Sequence, residues 1–283
     1  MSNAAIPKAF VVGHPIAHSR SPLIHGHWLE RYGIAGAYER IDVAPVDFAA
    51  FLVNFAGNGF VGGNVTLPHK EAAFRGVRVA TARARRLSAV NTLWIENGLL
   101  HGDNTDVLGF VASLDAALGI GWENDLRRAV VLGAGGAARA IVAGLLDRGV
   151  DSVAIVNRTP EKAREIVAFD PTRLTAHGLD ALTALLAGAR LLVNTTSLGM
   201  TGQPPLQVDL APMPEGAAVA DIVYAPLETA LLKQARERGL AAIDGLGMLL
   251  HQAVPGFERW FGIRPEVTPE LRAAIVADLE KKP

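Results

Sequence analysis

The sequence predicts an α/β fold with more than one domain, and three observations support this. Apolar, strand-like runs alternate with helical patterns along nearly the whole chain, which is typical of sheets with mostly parallel strands. One of these runs, at 129–132, ends in a glycine-rich turn that opens a helix of small residues. The chain has 283 residues, too many for one ordinary core and enough for two domains.

The composition narrows the functional class. Half of the residues are hydrophobic and 19% are charged, so a large core can be buried. The 27 basic and 28 acidic residues nearly cancel, which argues against a nucleic-acid or membrane surface. The absence of cysteine excludes disulfides, thiolate metal ligands and a cysteine nucleophile. With no leader-like start and no long uncharged apolar stretch, we expect a cytoplasmic protein.

The first part of the chain is predicted to form strands and helices in alternation. The strands, read from apolar or alternating runs, are 9–13, 37–43, 64–67, 89–95 and 99–102. The helices are 22–32, 45–55, one that begins at residue 70, 75–87 and 107–118. Pro22 fits a first helical position with Ser21 as N-cap, and the Asn97-Gly98 pair predicts a hairpin.

The alternation repeats from residue 129 onward with shorter connections. The strands predicted there are 129–132, 152–156, 172–175, 191–194, 218–223 and 241–243. The helices run from the glycine-rich turn to 146, then over 160–168 and 229–238, from 245 past Gln252, and over 269–282.

The glycine-rich turn carries the strongest functional signal. Gly133, Gly135 and Ala138 fit the G-x-G-x-x-G/A fingerprint of dinucleotide sites, and a second strand follows at the expected distance. Small residues there permit a tight turn, let a pyrophosphate approach the backbone and allow close strand–helix packing. The phosphates are expected at the helix N-terminus, where free N–H groups and the helix dipole favour anions. The alternative is a glycine turn with a purely structural role.

The end of the next strand indicates which dinucleotide would bind. A site for NAD usually places an acidic residue there, about 20 residues past the glycines, to bind the ribose 2′-OH. This chain has Asn157, Arg158 and Thr159 instead. An arginine pairs with a 2′-phosphate that a carboxylate would repel, so the run favours NADP. The alternative is a turn with a solvated arginine.

Lys70, two aspartates and two serines are the candidates for substrate chemistry. Lys70 lies in a first helical turn, where the dipole disfavours a cation. Asp103 and Asp106 follow a strand end, where α/β active sites cluster. Ser19 and Ser21, two residues apart in a loop, can donate to one carboxylate. Each has a structural alternative, as an exposed helix-start lysine or as helix caps.

The histidines do not predict a metal site. His25 and His27 are two positions apart on a helix and do not share a face. No other histidine pair has the context of metal ligands, so we predict no bound metal.

Taken together, these stretches resemble the shikimate dehydrogenase family over nearly the whole chain. The matching segments are G-x-P-I-x-H-S-x-S-P at 13–22, N-V-T-x-P-H-K at 64–70, A-V-N-T at 89–92, N-T-D at 104–106, G-A-G-G-A at 133–137, N-R-T at 157–159, N-T-T-S-x-G-M at 194–200, D-x-x-Y-x-P at 221–226 and G-x-G-M-L-x-x-Q at 245–252. Their order and spacing carry the resemblance. Ser88 and Val107 depart from it, since the family usually or often has glycine at those positions.

The resemblance implies an activity and a fold. The activity is the NADP-linked interconversion of 3-dehydroshikimate and shikimate, a step of aromatic amino-acid biosynthesis. The fold is an N-terminal α/β substrate-binding domain with a mixed, mostly parallel sheet, plus a Rossmann-type NADP-binding domain, with the site in the cleft between them. We place the first domain at 1–106, completed by 240–283, and the second at 107–239.

The resemblance also implies roles for individual residues. Lys70 and Asp106 are the expected catalytic pair. The expected substrate-binding residues are Ser19, Ser21, Thr66, Asn91, Tyr224 and Gln252. The expected cofactor-binding residues are Gly133, Ala134, Gly135, Gly136, Ala137, Asn157, Arg158, Thr159, Thr195, Ser197, Met200 and Gly245. The expected partners are small molecules, with no nucleic acid or membrane, and the expected state is a monomer or homodimer.

The implied mechanism follows from charge. Negative charge develops on the ketone oxygen as hydride arrives, and the Lys70 ammonium can stabilise that oxygen and supply the proton. Asp106 would orient the ammonium, so the two groups should titrate as a pair. Two rivals remain: an enzyme that uses quinate, often with NAD, and an NADP-binding regulator without turnover. The regulator would be marked by loss of Lys70 or Asp106, and both residues are present.

Overall fold

The computed structural model describes residues 6–281, and this part of the chain falls into two compact units. The first unit runs to Thr105 and resumes at Gln252, and the second is Asp106–His251. The sequence predicts that the first domain resumes at residue 240. The return comes instead at Gln252, because residues 241–243 still pair within the second sheet.

Within residues 6–105, six strands form the sheet of the first unit. They are β1 (Lys8–Gly13), β2 (Ala37–Asp42), β3 (Phe60–Val65), β4 (Val79–Ala80), β5 (Thr92–Glu96) and β6 (Leu99–Asp103). Their order is β2-β1-β3-β5-β6-β4. β1 is parallel to β2 and β3, and β4 to β6, whereas β5 is antiparallel to β3 and β6. The predicted mixed, mostly parallel sheet is confirmed.

Aromatic side chains fill the core of the first unit. Its helices include α1 (Ser21–Arg31), α2 (Phe48–Asn54), α3 (Lys70–Gly76) and α4 (Ala82–Leu87). The ring of Phe10 packs edge-on against three further phenylalanines at centroid distances of 5.1 to 5.3 Å. A Cβ atom at Gly63 of β3 would collide with this ring. Only a residue without a side chain fits at this position of the strand. β3 therefore includes this glycine and begins at Phe60 rather than at the predicted residue 64.

The single helix predicted over 75–87 is wrong. α3 ends at Gly76, Val77 is extended, and β4 pairs in parallel with β6 before α4 begins. Thr81 caps α4, since its Oγ1 accepts from the backbone N–H of Ala84 over 3.1 Å. The arginines of this stretch have the pattern of a solvated helix face, so the sequence predicted one continuous helix in place of two helices with a short strand between them.

The sheet of the second unit is parallel throughout the described residues. Its strands are β7 (Arg128–Leu132), β8 (Ser152–Val156), β9 (Leu174–His177), β10 (Leu191–Asn194), β11 (Ala218–Asp221) and β12 (Ala241–Ile243). Their order is β12-β11-β10-β7-β8-β9. All five pairings are parallel. This is the doubly wound order of a Rossmann-type domain, which reverses between β7 and β10, and it confirms the predicted fold class.

Helices and apolar clusters cover both faces of this second sheet. The helices of the second unit are α5 (Asp106–Leu118), α6 (Gly136–Asp147), α7 (Pro160–Val167), α8 (Leu182–Leu186), α9 (Ala230–Glu237) and the start of α10 (Gly245–Phe261). The rest of α10 and α11 (Pro269–Glu280) belong to the first unit. On β7, Val131 packs in one apolar cluster with α6, and Val130 packs in another with α9. Strands buried on both faces read as continuous apolar runs, which is why the sequence reveals them.

The five residues of α8 are too few to show a helical period, and no helix was predicted there. The predicted end of the last helix, Lys282, lies outside the described residues. None of the helices in residues 6–281 is long and apolar enough to cross a membrane.

The two departures from the family pattern have local structural accounts. Ser88 ends α4 in the left-handed region, at φ 51 and ψ 34, where glycine is the favoured residue. Val107 is buried in α5. A Cβ atom at Gly144 of α6 would lie 3.5 Å from Cγ1 of Val107, which is ordinary van der Waals contact, so Val107 packs beside this glycine.

Candidate active site

The turn between β7 and α6 has the geometry of a dinucleotide-binding loop. Gly133 has φ +104, and a Cβ atom there would lie 2.6 Å from Oγ1 of Thr195. Ala138 is fully buried in the core below the turn. No described atom would lie within 4 Å of a Cβ atom at Gly135 or Gly136. Open space therefore borders the N-terminus of α6, where free N–H groups can bind a pyrophosphate.

The end of β8 carries a basic side chain in place of a carboxylate. Nδ2 of Asn157 donates to the carbonyl of Thr159 over 2.8 Å, which closes the turn into α7. Arg158 is exposed and makes no ion pair or hydrogen bond within the described chain. Its guanidinium is therefore available to a 2′-phosphate. These residues fit NADP better than NAD.

A buried polar network joins the carboxyl ends of β7, β10 and β11. Oγ1 of Thr195 donates to the carbonyl of Leu132 over 2.6 Å, and Nδ2 of Asn194 donates to Asp221 over 2.9 Å. Asp221 also accepts from the hydroxyl of Thr229 over 2.8 Å. Burial raises the pKa of Asp221 above its ordinary value. The network fixes the strand ends that surround the nucleotide loop.

Five predicted residues of the first unit lie in segments at one edge of its sheet. They are Ser19, Ser21, Thr66, Lys70 and Asn91. β1 and β3 are parallel, so their carboxyl ends meet there, and β5 begins there because it is antiparallel to β3. The backbone N–H of His14 donates to the carbonyl of Leu67 over 3.1 Å, which ties together the loops after β1 and β3.

Two arginines hold the loop that carries the serines. Arg40 donates through Nε and Nη2 to the carbonyl of Ser19, over 2.9 and 2.7 Å. Arg20 is buried and pairs with Asp278 of α11 at 2.5 Å. The predicted capping role of Ser21 is wrong, because α1 begins at Ser21 and Arg20 occupies the N-cap position. The N–H of Ser21 donates instead to Oγ of Ser19 over 3.3 Å.

Lys70 begins α3, as predicted, directly after a fixed histidine. The buried His69 ring stacks on Phe48 at 4.2 Å, and its Nε2 lies 2.7 Å from the carbonyl oxygen of Val43. The backbone N–H of His69 donates to the carbonyl of Thr66 over 2.9 Å. These contacts fix the start of α3 and with it the backbone position of Lys70.

Asn91 lies in a buried hydrogen-bond network. Its Oδ1 accepts from the backbone N–H of Thr105 over 2.7 Å and from the hydroxyl of Thr92 over 2.9 Å. Nδ2 of Asn64 donates to the carbonyl of Asn91 over 3.1 Å. The oxygen of Asn64 accepts from the hydroxyl of Tyr38 over 2.6 Å. The network therefore runs across β2, β3, β5 and the segment that follows β6.

The two candidate aspartates have different surroundings. Asp103 ends β6 and does not cap a helix. Its carboxylate accepts from Thr81 over 2.6 Å, from Nη2 of Arg83 over 2.7 Å and from the backbone N–H of Asn104 over 2.7 Å. Asp106 is buried, begins α5 and is the first residue of the second unit.

The remaining predicted residues follow strands of the second sheet or lie on α10, which begins in the second unit and continues into the first. Ser197 and Met200 follow β10, and Tyr224 follows β11. Gly245 begins α10, and Gln252, which is buried, lies two turns further along that helix. The roles of the site residues stay predictions.

Three members of the Asn91 network were missed as site residues. Asn64, Thr92 and Thr105 stand inside the matching motifs, and that was the signal available. The sequence alone did not show that they contact one another, because they are 13 to 28 residues apart along the chain.

Three family profiles match the chain in order. They are described as the shikimate dehydrogenase substrate binding domain at residues 11–93, shikimate / quinate 5-dehydrogenase at 119–200, and the shikimate 5'-dehydrogenase C-terminal domain at 245–274. A curated relative, the shikimate dehydrogenase (NADP(+)) of Methylobacterium radiotolerans, is 63% identical to this chain. The match covers 98% of this chain and 99% of the relative.

Two solved structures are similar to this chain over nearly their full length. The shikimate 5-dehydrogenase of Thermus thermophilus, in complex with NADP(H) and shikimate, is 33% identical, with a TM-score of 0.82. That match covers 98% of this chain and 99% of the other. The quinate dehydrogenase of Corynebacterium glutamicum, in complex with NAD, is 29% identical, with a TM-score of 0.88. It covers 96% of this chain and 99% of the other.

Proposed function

The chain belongs to the shikimate dehydrogenase family, and we propose that it reversibly reduces 3-dehydroshikimate to shikimate with NADP as cofactor. The observation that carries the proposal is the 63% identity to an NADP(+)-dependent relative over nearly the whole chain. Lys70 and Asp106, the expected catalytic pair, are both present. A cytoplasmic location and a monomeric or homodimeric state are parts of the same proposal.

The cofactor assignment is supported by the second unit. The N-terminus of α6 offers open backbone donors for the pyrophosphate. Arg158 offers an exposed guanidinium for the 2′-phosphate, and Asn157 and Thr159 complete the turn. Thr195, Ser197, Met200 and Gly245 would contact the rest of the dinucleotide. NADPH supplies the hydride when bound, and the chain supplies position and electrostatics.

The residues expected at the substrate are proposed to bind it and to handle its proton. The hydroxyls of Ser19 and Ser21 bind the carboxylate, and Thr66, Asn91, Tyr224 and Gln252 contact the ring or its hydroxyls. The Lys70 ammonium stabilises the oxygen that becomes negative during reduction and then gives it a proton. Asp106 orients that ammonium and binds a substrate hydroxyl.

Steady-state rates with two acids and two cofactors test the proposal. Formation of NADPH or NADH, followed by absorbance, is measured with shikimate and with quinate, each with NADP and NAD. We expect the highest kcat/KM for shikimate with NADP. No turnover with either acid would favour the regulator, and higher kcat/KM for quinate with NAD would favour the quinate enzyme.

The quinate alternative has one specific observation in its favour. The quinate dehydrogenase structure contains NAD and matches this chain with a TM-score of 0.88. The residues that follow β8 argue against the quinate enzyme with NAD, because Arg158 stands where a carboxylate for NAD would be expected. The four rates above separate the two enzymes directly.

A further inference from the structure

The strand β2 sends two side chains to the loop that carries the serines. β2 lies beside β1 at one edge of the sheet in the described residues, and the loop joins β1 to α1. Arg40 and Asp42 are two positions apart on β2, so their side chains leave the strand on the same face of the sheet. Arg40 contacts the loop at Ser19, and Asp42 contacts it at His14 and Ile16. The strand therefore holds the loop near both of its ends.

The carboxylate of Asp42 uses both of its oxygens. Oδ1 lies 2.6 Å from Nδ1 of His14, and Oδ2 accepts from the backbone N–H of Ile16 over 3.0 Å. The hydrogen bonds from His14 and Ile16 lower the pKa of Asp42 below its ordinary value, so the carboxyl group is ionised at neutral pH. An ionised carboxylate only accepts, so Nδ1 of His14 carries the donated proton. Both side chains are about half exposed, so their contact adds little to the stability of the whole unit and acts on the loop.

Both backbone polar groups of Ser19 are fixed through these contacts. Its N–H donates to the carbonyl of Ile16 over 3.0 Å, and Ile16 is the residue whose own N–H binds Asp42. The carbonyl of Ser19 accepts from Nε and Nη2 of Arg40 over 2.9 and 2.7 Å. The side chain of Ile16 is buried, which anchors this turn in the first unit. With its N–H and its carbonyl both bonded, the backbone of Ser19 keeps one orientation, which sets the direction in which the hydroxyl leaves the chain.

We propose that Arg40 and Asp42 are positioning residues that preorganise Ser19 for the substrate carboxylate, and that they act on affinity for the acid rather than on the chemical step. The inference rests on the proposed function, in which the hydroxyls of Ser19 and Ser21 bind that carboxylate. Arg40 and Asp42 both lie outside the segments that carry the family resemblance, so the resemblance assigns them no role.

The sign of the Asp42 effect separates positioning from simple charge. A negative side chain near an anion site repels the anion through space, so its removal would tighten binding if charge alone mattered. Positioning gives the reverse result, because without the carboxylate the N–H of Ile16 loses its partner and the turn that holds Ser19 loosens. Removal of Arg40 weakens binding under both accounts, so Asp42 is the more informative residue to replace.

Asp42→Ala is therefore the variant that tests the proposal. We expect the KM for shikimate to rise roughly 3- to 10-fold, the value of about one hydrogen bond, with kcat within about 2-fold of wild type. In a Ser19→Ala background the same change should raise that KM by less than about 2-fold, because the hydroxyl being positioned is gone. The KM for NADP should not change in either background.

Two further variants are matched controls. Asp42→Asn keeps an oxygen for the N–H of Ile16 and offers an NH₂ group to His14 in its other tautomer, so its KM for shikimate should lie within about 2-fold of wild type. Glu39→Ala removes a negative charge from the preceding part of β2, where the side chain is exposed and leaves the other face of the sheet. This variant should have the wild-type KM for shikimate.

The outcomes separate this inference from the proposed function. In a wild-type enzyme that oxidises shikimate, an Asp42→Ala KM at or below the wild-type value would overturn the inference alone. So would equal rises in KM with and without the Ser19 hydroxyl, a loss confined to kcat, or an equal rise in Glu39→Ala. A wild-type protein that neither binds nor oxidises shikimate would overturn the proposed function and this inference with it.

A second route keeps the test open if Asp42→Ala does not fold by thermal melting and NADP binding. Arg40→Met keeps most of the apolar stem and removes both donors to the carbonyl of Ser19. It enters the same cycle with Ser19→Ala and has the same expected values. Attraction through charge alone would persist without the Ser19 hydroxyl, so equal rises in KM in the two backgrounds would again overturn the inference.

Discussion

The backbone N–H of Ser21 donates to Oγ of Ser19 over 3.3 Å, so the two serines are linked within one loop. The contact uses a lone pair of the Ser19 hydroxyl and leaves its proton for another acceptor. Arg40 holds the carbonyl of Ser19, and Arg20 lies between the serines in an ion pair with Asp278. The loop is therefore fixed before any ligand binds, as a preorganised carboxylate site requires.

Replacement of either serine by alanine should weaken shikimate binding more than it slows turnover. The carboxylate does not react, so its contacts stabilise the ground state and the transition state nearly equally. Each lost bond to a charged group should cost about 1.5–3 kcal/mol. We expect a raised KM for shikimate in Ser19→Ala and in Ser21→Ala, with kcat much less affected. An unchanged KM for shikimate in both variants would show that the serines do not bind the carboxylate.

Arg158 should carry the preference for NADP. Arg158→Ala should raise the KM for NADP and leave the KM for NAD little changed, because only NADP has the 2′-phosphate. Asn157→Asp should shift the preference toward NAD, since it adds an acceptor for the ribose and repels the phosphate. KM values for both cofactors at saturating shikimate decide this. Equal effects on NADP and NAD would contradict a 2′-phosphate role.

Burial of His25 should make the first unit sensitive to acid. His25 is fully buried and stacks on Tyr38 at 3.9 Å, and burial lowers its pKa from 6.5 to about 3, only partly offset by Asn64. The unfolded chain therefore takes up the proton first. The stabilisation from neutral His25 is complete above pH 6.5 and is lost as the pH falls toward 3.

The matched variant for this prediction is His25→Phe, which keeps an aromatic ring in the cluster. Between pH 7 and pH 4.5 the wild type should lose roughly 2–3 kcal/mol more unfolding free energy than the variant does. Urea denaturation at several pH values measures this difference. Parallel curves for the two proteins would show that His25 has the same pKa in the folded protein as in the unfolded chain and would contradict the prediction.

Ser88→Gly should stabilise the protein. Ser88 is exposed and adopts φ 51 at the end of α4, a conformation that costs a residue with a Cβ atom more than it costs glycine. The gain should be roughly 0.5–1 kcal/mol, since glycine loses more chain entropy on folding. Denaturation midpoints of the two proteins test this. A less stable Ser88→Gly protein would show that the serine is held by a contact worth more than the strain.

The second sheet was predictable because its local signals agree. The strand β7 is a continuous apolar run, and Gly133 follows it where a left-handed turn is needed. The position of Arg158 just after the strand β8 was predictable in the same way, and its role at the cofactor stays a prediction. Such signals lie within a few residues of one another, so the sequence displays them without knowledge of the fold.

The first unit was less predictable because its key contacts join distant segments. Ser21 fits a capping pattern, yet α1 begins one residue earlier than that pattern requires. Asn64 and Thr92 meet only because β3 and β5 are neighbours, a pairing that no local pattern specifies. The strand β4 was not predicted, because its two residues are too few to show the alternation of a strand and lie between arginine-rich helices.

We expect Lys70 to act on the reacting oxygen and Asp106 to orient it. If Lys70 stabilises charge that is complete only in the transition state, Lys70→Ala should lower kcat by about 10²- to 10⁴-fold with little change in KM. Asp106→Asn keeps the shape and removes the charge, so it should lower kcat and raise the KM for shikimate. The double variant should lose much less than the product of the two effects, because the residues act as a unit.

The most direct single measurement is kcat of Lys70→Ala with saturating shikimate and NADP, with thermal melting and NADP binding as controls for folding. We expect a folded protein that binds NADP normally and turns over at least about 100-fold more slowly than wild type. A folded Lys70→Ala enzyme within a factor of a few of wild type would contradict the catalytic role, since Lys70 would then have only a structural place at the start of α3.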